Sequence, residues 1–338
     1  MTSPDVIVVG AGVLGLCTAA ELASRGRRVV VVDPGGPNAS SVAAGMLAPA
    51  LESLLDRATP ERAALLLRAR DLWPAFAAAH DIIVHREGAD WRGPGASGHV
   101  ADLRALGFHV EPADGGLTTP DDWRVEAKAA LDSLARTKGL EVLRAHVRGA
   151  DHSGTGWRIE TDGGEALSAV DLVISTGAAN SLPGLPEPAA RLIDSVQPIK
   201  GQLTYVRVDP PERVLRGPNS YVAPTRQGVL IGATMQAGLR DLEPDAAEAG
   251  RQVAEGLGML GRTAAEAGDI RVGVRGSVAD GLPMAGRVGP GLYLALAPRR
   301  NGWLLGPMVG RIVADEIEGA ARSPDAAALD PLRFTPAG

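Results

Sequence analysis

Three glycines near the start of the sequence are well suited to chemistry, because their spacing can shape a backbone around phosphates. Gly10, Gly12 and Gly15 spell G-x-G-x-x-G between an apolar run at 6–9 and an Ala- and Leu-rich segment. Gly10 allows a tight turn, Gly12 lets the backbone approach a pyrophosphate, and Gly15 lets a helix pack closely on a strand. A second apolar run ends at Asp33, whose carboxylate can accept hydrogen bonds from ribose hydroxyls. The pattern predicts dinucleotide binding and does not separate FAD from NAD.

A strand, a helix and a second strand are needed to position these residues. The run at 6–9 predicts the first strand, the segment after Gly12 predicts the helix, and the run at 29–32 predicts the second strand. The N-terminus of such a helix offers unpaired N–H groups and a partial positive charge to phosphates. The loop at 34–46 is rich in small residues, which suits either a flexible loop or a backbone lying against a planar ligand.

Length, composition and charge exclude several classes of protein. The 338 residues allow one large or two smaller domains, and a hydrophobic fraction of 45% allows a sizeable core. The net charge of -6 argues against nucleic acid as the main partner. The single cysteine, Cys17, excludes an internal disulfide, and the 6 histidines show no ligand spacing, so no metal site is predicted. Without a long apolar run or a signal peptide, a soluble, cytoplasmic protein is expected.

Start signals and apolar periodicity predict the remaining elements. Pro307 is expected at the first position of a helix, where proline is favoured. A buried strand before Thr176 and Gly177 is expected to return to the first sheet. Helices are predicted at 59–80, 119–138, 245–259 and 307–317. Strands are predicted at 140–147, 157–161, 166–170, 171–177 (ending in a glycine turn), 202–208, 219–224, 228–232 and 291–296.

Motifs spread along the whole chain resemble the D-amino acid oxidase superfamily of FAD-dependent oxidoreductases, and within it most closely the glycine oxidases of the thiamine pathway. Their common order along the chain is more specific than any single motif. Besides the glycine turn and Asp33, the matching segments are S-S-V-A-A-G-M at 40–46, S-T-G-A-A-N at 175–180, V-Q-P-I-K-G-Q at 196–202, Tyr221 in its strand, G-A-T at 232–234, G-V-R at 273–275, D-G-L-P at 280–283 and R-N-G at 300–302.

The resemblance implies an α/β fold with two discontinuous parts. A Rossmann-like FAD-binding domain is expected from residues 1–81, 119–192 and 269–338. A substrate domain of the α+β type, with a mostly antiparallel sheet, is expected from residues 82–118 and 193–268.

The resemblance also implies FAD, held noncovalently by residues from several segments. It assigns the pyrophosphate to the glycine turn, the ribose to Asp33, the adenine side to Val147, and the ribityl chain and ring to the loop of small residues. The N-terminus of the helix near Pro307 is expected to face the flavin's pyrimidine edge. The predicted FAD-binding residues are Gly10, Gly12, Val13, Leu14, Gly15, Asp33, Pro34, Ser40, Ser41, Ala44, Gly45, Met46, Val147, Thr176, Gly177, Arg275, Asn301, Gly302, Trp303 and Leu304.

Three residues are predicted to contact the substrate. Arg300 is expected to hold its carboxylate by two parallel hydrogen bonds. Tyr221 is expected to donate its hydroxyl to the same carboxylate, and Met46 to line the pocket; an ion-paired surface arginine, a sheet tyrosine and a core methionine are the alternatives. The implied reaction oxidises a small, glycine-like amino acid to the imino acid, with hydride passing to the flavin and O2 becoming H2O2. The product imine could supply thiamine thiazole synthesis.

Departures from the family pattern leave the substrate open. Residues 85–118 are shorter than the family's segment, and Ala297–Pro298–Arg299 replaces a G-H-aromatic sequence. The alternatives are an FAD-dependent enzyme for another amine, such as a D-amino acid or a sarcosine-like compound, one that uses an acceptor other than O2, and an NAD-dependent dehydrogenase. Lys200 could approach the flavin and assist oxygen, but it is interpreted as solvated, and Arg299 is interpreted as a surface residue. The expected partners are a small amine and O2, and a homo-oligomer remains open.

Overall fold

The computed structural model describes residues 3–154 and 156–334, and the chain divides into two compact units. The first unit comprises Met1–Ser41, Ala129–Ile199 and Arg275–Gly338, and the second comprises Val42–Lys128 and Lys200–Val274. The predicted boundaries differ from this division: they assign residues 42–81, 119–128 and 269–274 to the FAD-binding domain, and residues 193–199 to the substrate domain.

The strands and helices are as follows. The strands are β1 (Val6–Val9), β2 (Val29–Asp33), β3 (Met46–Leu47), β4 (Val84–His85), β5 (Ala89–Arg92), β6 (Glu111–Ala113), β7 (Gly116–Thr119), β8 (Trp123–Val125), β9 (Leu140–Arg144), β10 (Val147–Ser153), β11 (Gly156–Thr161), β12 (Ala166–Ala169), β13 (Asp171–Ile174), β14 (Gln197–Arg207), β15 (Val214–Arg216), β16 (Tyr221–Thr225), β17 (Gly228–Gly232), β18 (Gln236–Ala237), β19 (Glu266–Ser277), β20 (Met284–Gly289) and β21 (Leu292–Leu296). The helices are α1 (Val13–Ser24), α2 (Ala39–Val42), α3 (Pro49–Leu55), α4 (Pro60–Asp71), α5 (Trp73–Ala79), α6 (Ala96–Ala105), α7 (Ala127–Leu134), α8 (Glu187–Asp194), α9 (Ala246–Met259), α10 (Gly302–Ile317) and α11 (Pro324–Ala328), with a 3-10 turn at Pro331–Phe334.

A six-stranded sheet in the order β20-β21-β13-β1-β2-β9 forms the centre of the first unit. All its neighbouring pairs are parallel except β20 with β21. Val9 pairs with Val32 on one side and with Ile174 on the other, which confirms the predicted return of the chain after residue 170. The apolar runs in β1, β2 and β13 suit strands covered on both faces. The carboxyl ends of the parallel strands share one edge, where ligands bind in such sheets.

Helices α1 and α10 pack closely in the first unit because α10 carries glycines at intervals of four. Gly302, Gly306 and Gly310 therefore share one face of α10. A Cβ atom at Gly306 would lie 2.9 Å from Cys17 Sγ, and one at Gly310 would lie 2.7 Å from the carbonyl oxygen of Cys17. Burial in this contact raises the pKa of the Cys17 thiol above its usual range.

A large mixed sheet forms the centre of the second unit. Its order is β18-β14-β17-β16-β15-β5-β7-β6, with β19 also paired to β14. Most pairs are antiparallel, as predicted, and β15 pairs with β5 in parallel. A core that includes Leu51, Leu103 and Leu117 packs with the sheet, and a second core joins Leu257 of α9 to Ile231.

The helix predicted at 119–138 is wrong over its first part. Trp123–Val125 forms β8, which pairs with both β3 and β4, and a helix forms only at Ala127–Leu134. Asp122 does not begin a helix of its own; its carboxylate accepts hydrogen bonds from the N–H groups of Ala50 and Leu51, at 2.8 and 3.1 Å. Asp122 of the Thr-Pro-Asp-Asp signal therefore serves α3, which is distant in sequence. The three-stranded sheet β3-β8-β4 joins residues 42–81 to residues 119–128.

Candidate functional site

The glycine turn after β1 has the conformation that the spacing predicts. Gly10 has a φ of +109°, and a Cβ atom there would lie 2.3 Å from the carbonyl oxygen of Ser175. A Cβ atom at Gly15 would lie 2.0 Å from the carbonyl oxygen of Gly10, so neither position accepts a side chain. At Gly12 the nearest atom to an added Cβ is Ser40 Oγ, at 3.4 Å. Glycine at position 12 therefore leaves space at the N-terminus of α1, which suits a ligand that approaches the backbone.

Asp33, at the end of β2, is held against the glycine turn. Its Oδ2 accepts a hydrogen bond from the Ala11 N–H at 2.7 Å, and its Oδ1 accepts one from the Gly35 N–H at 2.7 Å. A carboxylate has about four acceptor positions, so about two remain for hydroxyl groups of a ligand. Pro34 follows it, outside the strand. The geometry therefore suits the ribose role expected of Asp33.

Ser40 connects the first turns of two helices. Its Oγ accepts a hydrogen bond from the Val13 N–H of α1 at 2.9 Å, and its carbonyl oxygen accepts one from Trp303 Nε1 of α10 at 3.2 Å. Ser41 instead bonds locally, because its hydroxyl accepts from the Asn38 N–H and donates to the Asn38 carbonyl. The structure thus brings Val13, Ser40 and Trp303 together, while Val147 lies in β10 beside the apolar core.

The segments that follow β13 and β21 meet the end of β19. The Arg299 N–H donates to the Gly276 carbonyl at 2.8 Å, and Ser277 pairs with Pro298. A Cβ atom at Gly276 would lie 3.0 Å from the Gly177 carbonyl oxygen, so glycine is needed for this close approach. Arg275 and Arg300 therefore lie on adjacent segments of the first unit, and both are half-buried. Arg299, interpreted as a surface residue, is also half-buried.

Two residues before α10 adopt a backbone conformation that is uncommon for their type. Ala297 has a φ of +60° and Arg299 has a φ of +52°, in the left-handed region that favours glycine. Such conformations cost about 1–3 kcal/mol each and cluster at functional sites. Both positions lie in the segment that departs from the family pattern, immediately before Arg300.

Helix α10 begins five residues earlier than predicted. Gly302 is its first residue, Asn301 is its N-cap, and Pro307 lies inside the helix. Packing of α10 on α1 outweighs the local cost of the proline, which lacks the N–H for a helical hydrogen bond. The prediction that the N-terminus lies near Pro307 is wrong, and the first turn of the helix consists of residues 302–304. These are residues predicted to line the flavin.

Two buried polar atoms support the presence of a ligand in the first unit. Thr176 Oγ1 and Asn301 Nδ2 are buried and make no hydrogen bond to any residue that the structure describes. Buried polar groups almost always have a partner, so each unpaired group calls for a water or a ligand. Together with the space at Gly12 and the spare acceptor positions of Asp33, these atoms fit the polar groups of FAD.

Leu14 is buried in α1 of the first unit, and the remaining predicted residues belong to the second unit. Gly45 has a φ of +70°, and a Cβ atom there would lie 2.1 Å from the Val125 carbonyl oxygen. Ala44 is buried, Met46 is half-buried in β3, and Tyr221 is 8% exposed in β16. Ala44, Met46 and Tyr221 adjoin the same apolar core of this unit.

A buried charged pair that the sequence did not reveal lies beside Met46. Arg216 Nη1 donates to Glu52 Oε1 at 2.7 Å and approaches Met46 Sδ at 3.9 Å. Arg216 and Glu52 are 5% and 4% exposed. The only signal in the sequence is an arginine at the end of the short apolar run Val214–Leu215, before the turn G-P-N-S.

The interpretation of Lys200 as a solvated residue is wrong. Its side chain is buried, and Nζ pairs with Asp241 Oδ1. The hydrogen bond from Lys200 lowers the pKa of the Asp241 carboxyl. Lysine is seldom buried without a partner, and no pattern in the sequence indicates that Asp241 supplies one.

The described part of the chain holds no group of three or more His, Cys, Asp or Glu residues arranged to bind a metal. Within residues 3–154 and 156–334, no helix combines the length and the hydropathy needed to cross a bilayer.

Comparison with known proteins identifies the family. Residues 5–316 match the sequence profile of a family described as FAD dependent oxidoreductase. The chain belongs to this family of FAD-dependent oxidoreductases. Membership decides between FAD and NAD, which the glycine turn alone leaves open, and it confirms the resemblance carried by the motifs.

Individual relatives of this oxidoreductase agree with that assignment. The glycine oxidase of Geobacillus kaustophilus is 30% identical over 369 residues, covering 93% of this chain and 93% of that protein. The crystal structure of glycine oxidase from Geobacillus kaustophilus has a TM-score of 0.84 at 28% identity and covers 99% of this chain, which confirms the predicted fold class. The bifunctional protein ThiO/ThiG of Trichormus variabilis is 30% identical over 93% of this chain, and the match spans 52% of that protein.

Proposed function

We propose that this oxidoreductase oxidises a small α-amino acid, glycine-like in its α-carboxylate and amine, to the imino acid, with O2 reduced to H2O2. Similarity to a glycine oxidase over most of both chains supports the class of substrate. FAD, when bound, supplies a hydride acceptor for this chemistry. We infer that it is bound noncovalently, because Cys17 is fully buried against α10.

The observation that carries the proposal is the position of two half-buried arginines in the first unit. Arg300 immediately precedes the N-cap of α10, and the Arg299–Gly276 hydrogen bond brings Arg275 onto the adjacent segment. A planar guanidinium can hold a carboxylate by two parallel hydrogen bonds, which fixes the direction of the α-carbon. The chain's contribution is then orientation of one C–H bond. No general base is required if the amine binds in its neutral form.

Substitution of each arginine tests the proposal and decides which one holds the carboxylate. Loss of a charge-assisted pair costs roughly 1.5–3 kcal/mol, so Arg300→Ala should lower kcat/KM for glycine by about 10- to 100-fold while FAD content is unchanged. Arg275→Ala is measured in parallel, because it offers the same chemistry. Arg311→Ala is the control, since Arg311 lies on α10 with a side chain that is 61% exposed.

Peroxide release is measured with glycine, sarcosine, D-alanine and D-proline. If Arg300→Ala retains full kcat/KM and Arg275→Ala does not, the clamp belongs to Arg275. If both variants retain full kcat/KM, the amino acid assignment fails.

The most specific part of the proposal is that the imine supplies thiamine thiazole synthesis. It predicts that deletion of the gene creates a requirement for thiamine.

A further inference from the structure

Arg216 and Tyr221 lie on the same face of the large sheet in the second unit. Arg216 pairs with Trp91 across β15 and β5, and with Tyr221 across β15 and β16. Directly paired residues on neighbouring strands project their side chains to the same face. Arg216 is therefore the immediate neighbour of the tyrosine that the sequence predicts to bind substrate, and it also contacts Met46.

One edge of the Arg216 guanidinium is left without a partner. Nη1 donates a hydrogen bond to Glu52, and Nε is buried with no hydrogen bond to any described residue. The Nε and Nη2 atoms form the planar edge that binds a carboxylate by two parallel hydrogen bonds. A buried guanidinium with an open edge is costly, so a ligand that fills the edge would be strongly favoured.

Glu52 holds this arginine in place, and a neighbouring indole N–H indicates the kind of ligand. Glu52 lies on α3, whose first turn is fixed by the hydrogen bonds from Ala50 and Leu51 to Asp122. The indole N–H of Trp91, the residue paired with Arg216 on β5, is also buried and unpaired among the described residues. The unpaired groups of these two neighbouring residues, Arg216 Nε and Trp91 Nε1, are both donors. They indicate a ligand rich in acceptor oxygens.

We propose that Arg216 is a specificity-determining residue that binds a second carboxylate of the substrate, so that the preferred substrate is a small amino acid with two carboxylates. The inference rests on the proposed function and narrows its substrate class. Glycine has a single carboxylate and would leave the open edge of Arg216 unfilled. The second carboxylate can be carried either on the amine nitrogen or on the side chain.

Matched pairs of substrates separate these two positions. Iminodiacetate is compared with sarcosine, and D-aspartate with D-asparagine, by anaerobic reduction of the bound flavin, followed by its absorbance. This readout does not depend on O2 as the acceptor. The dicarboxylate of at least one pair should reduce the flavin with an apparent second-order rate constant about 10- to 100-fold higher than its partner.

Removal of the charged pair should abolish that preference. Arg216→Met alone would leave Glu52 buried without a counter-charge, so the double variant Arg216→Met/Glu52→Gln keeps the site neutral. The preference should fall to about 1-fold, because the rate constant for the dicarboxylate falls to that of its monocarboxylate partner. Arg213→Met is the matched control, because Arg213 immediately precedes β15, pairs with Asp90 at 3.6 Å and is partly exposed. Circular dichroism and FAD content verify that each variant is folded.

The outcomes distinguish this inference from the proposed function. If monocarboxylates reduce the flavin as fast as dicarboxylates, or if the double variant keeps the wild-type preference, the role of Arg216 is overturned and the oxidase assignment stands. If no member of either pair and neither glycine nor D-alanine reduces the flavin, both are overturned.

Discussion

Two aspartates in this chain each accept hydrogen bonds from two backbone N–H groups, but in different surroundings. Asp33 is half-buried beside the glycine turn, whereas Asp122 is 2% exposed behind α3. Burial raises the pKa of the Asp122 carboxyl to about 7, although the N–H groups of Ala50 and Leu51 and the charge of Arg216 lower it. Asp122 therefore titrates in the folded protein at a pH where an exposed aspartate is fully ionised.

The raised pKa of Asp122 predicts a specific dependence of stability on pH. Since the folded pKa of about 7 lies above the ordinary value of 3.8, the folded state binds more protons between these values. The stabilisation is complete below the ordinary value and is lost as pH rises through the folded pKa. As pH rises through this window, ionisation of Asp122 should lower the free energy of unfolding by up to about 1.4 kcal/mol per pH unit.

Urea unfolding of Asp122→Asn, at fixed FAD from pH 4.5 to 7.5, checks this expectation. The variant should lose that slope relative to the wild type. Asp209→Asn is the control, because the Asp209 side chain is 94% exposed. An unchanged slope in Asp122→Asn would show that other groups carry the pH dependence.

At the residue scale, the sequence was sufficient where neighbours along the chain determine the geometry. Gly10 and Gly15 are glycines because of contacts within one strand-turn-helix unit, and the spacing alone predicts this. Arg216 was missed because its partner Glu52 is 164 residues away and its pairing with Tyr221 depends on strand register. Its chemistry arises from the tertiary fold.

At the element scale, α10 shows how packing overrides a local signal. Proline favours the first turn of a helix, so Pro307 was predicted as a start, yet α10 extends five residues further toward the N-terminus. The glycines at 302, 306 and 310 form the face that meets α1, and that contact extends the helix past the proline. The longer helix brings its N-terminus to Asn301, next to Arg300.

The space around a glycine decides the effect of changing it to alanine, and two helical glycines should show opposite effects. In Gly310→Ala the new Cβ would lie 2.7 Å from backbone oxygen of Cys17, so we expect a loss of about 1–3 kcal/mol in the free energy of unfolding. Gly250 lies inside α9 with no atom within 4 Å of an added Cβ. Gly250→Ala should stabilise the protein by about 0.5–1 kcal/mol, because alanine favours the helix.

Urea unfolding of both variants at the same FAD concentration measures the two effects. Equal changes in Gly310→Ala and Gly250→Ala would contradict the close contact of α10 with Cys17.

At the scale of the whole molecule, the sequence predicted the fold class but not how its segments are grouped. The resemblance placed residues 42–81 with the FAD-binding domain, whereas the pairing of β3, β4 and β8 groups them with the second unit. Strands of two or three residues carry too little periodicity to be recognised in a sequence. The predicted site residues are consequently distributed over both units, with Ala44, Gly45, Met46 and Tyr221 in the second.

Noncovalent FAD should make the stability of the whole molecule depend on FAD concentration. A ligand that binds only the folded state stabilises it by about 2.7 kcal/mol at 100 times its Kd. Thermal unfolding of the apoprotein should therefore shift upward with added FAD and not with NAD.

Gly12→Ala should fold as the wild type does without FAD, because an added Cβ there is 3.4 Å from Ser40 Oγ, its nearest neighbour. It should need more FAD for the same shift, since the methyl group occupies the space at the N-terminus of α1. Gly15→Ala is the contrasting variant, destabilised even without FAD by the 2.0 Å approach to the Gly10 carbonyl. A Tm independent of FAD, or a protein that stays yellow after acid precipitation, would contradict noncovalent binding.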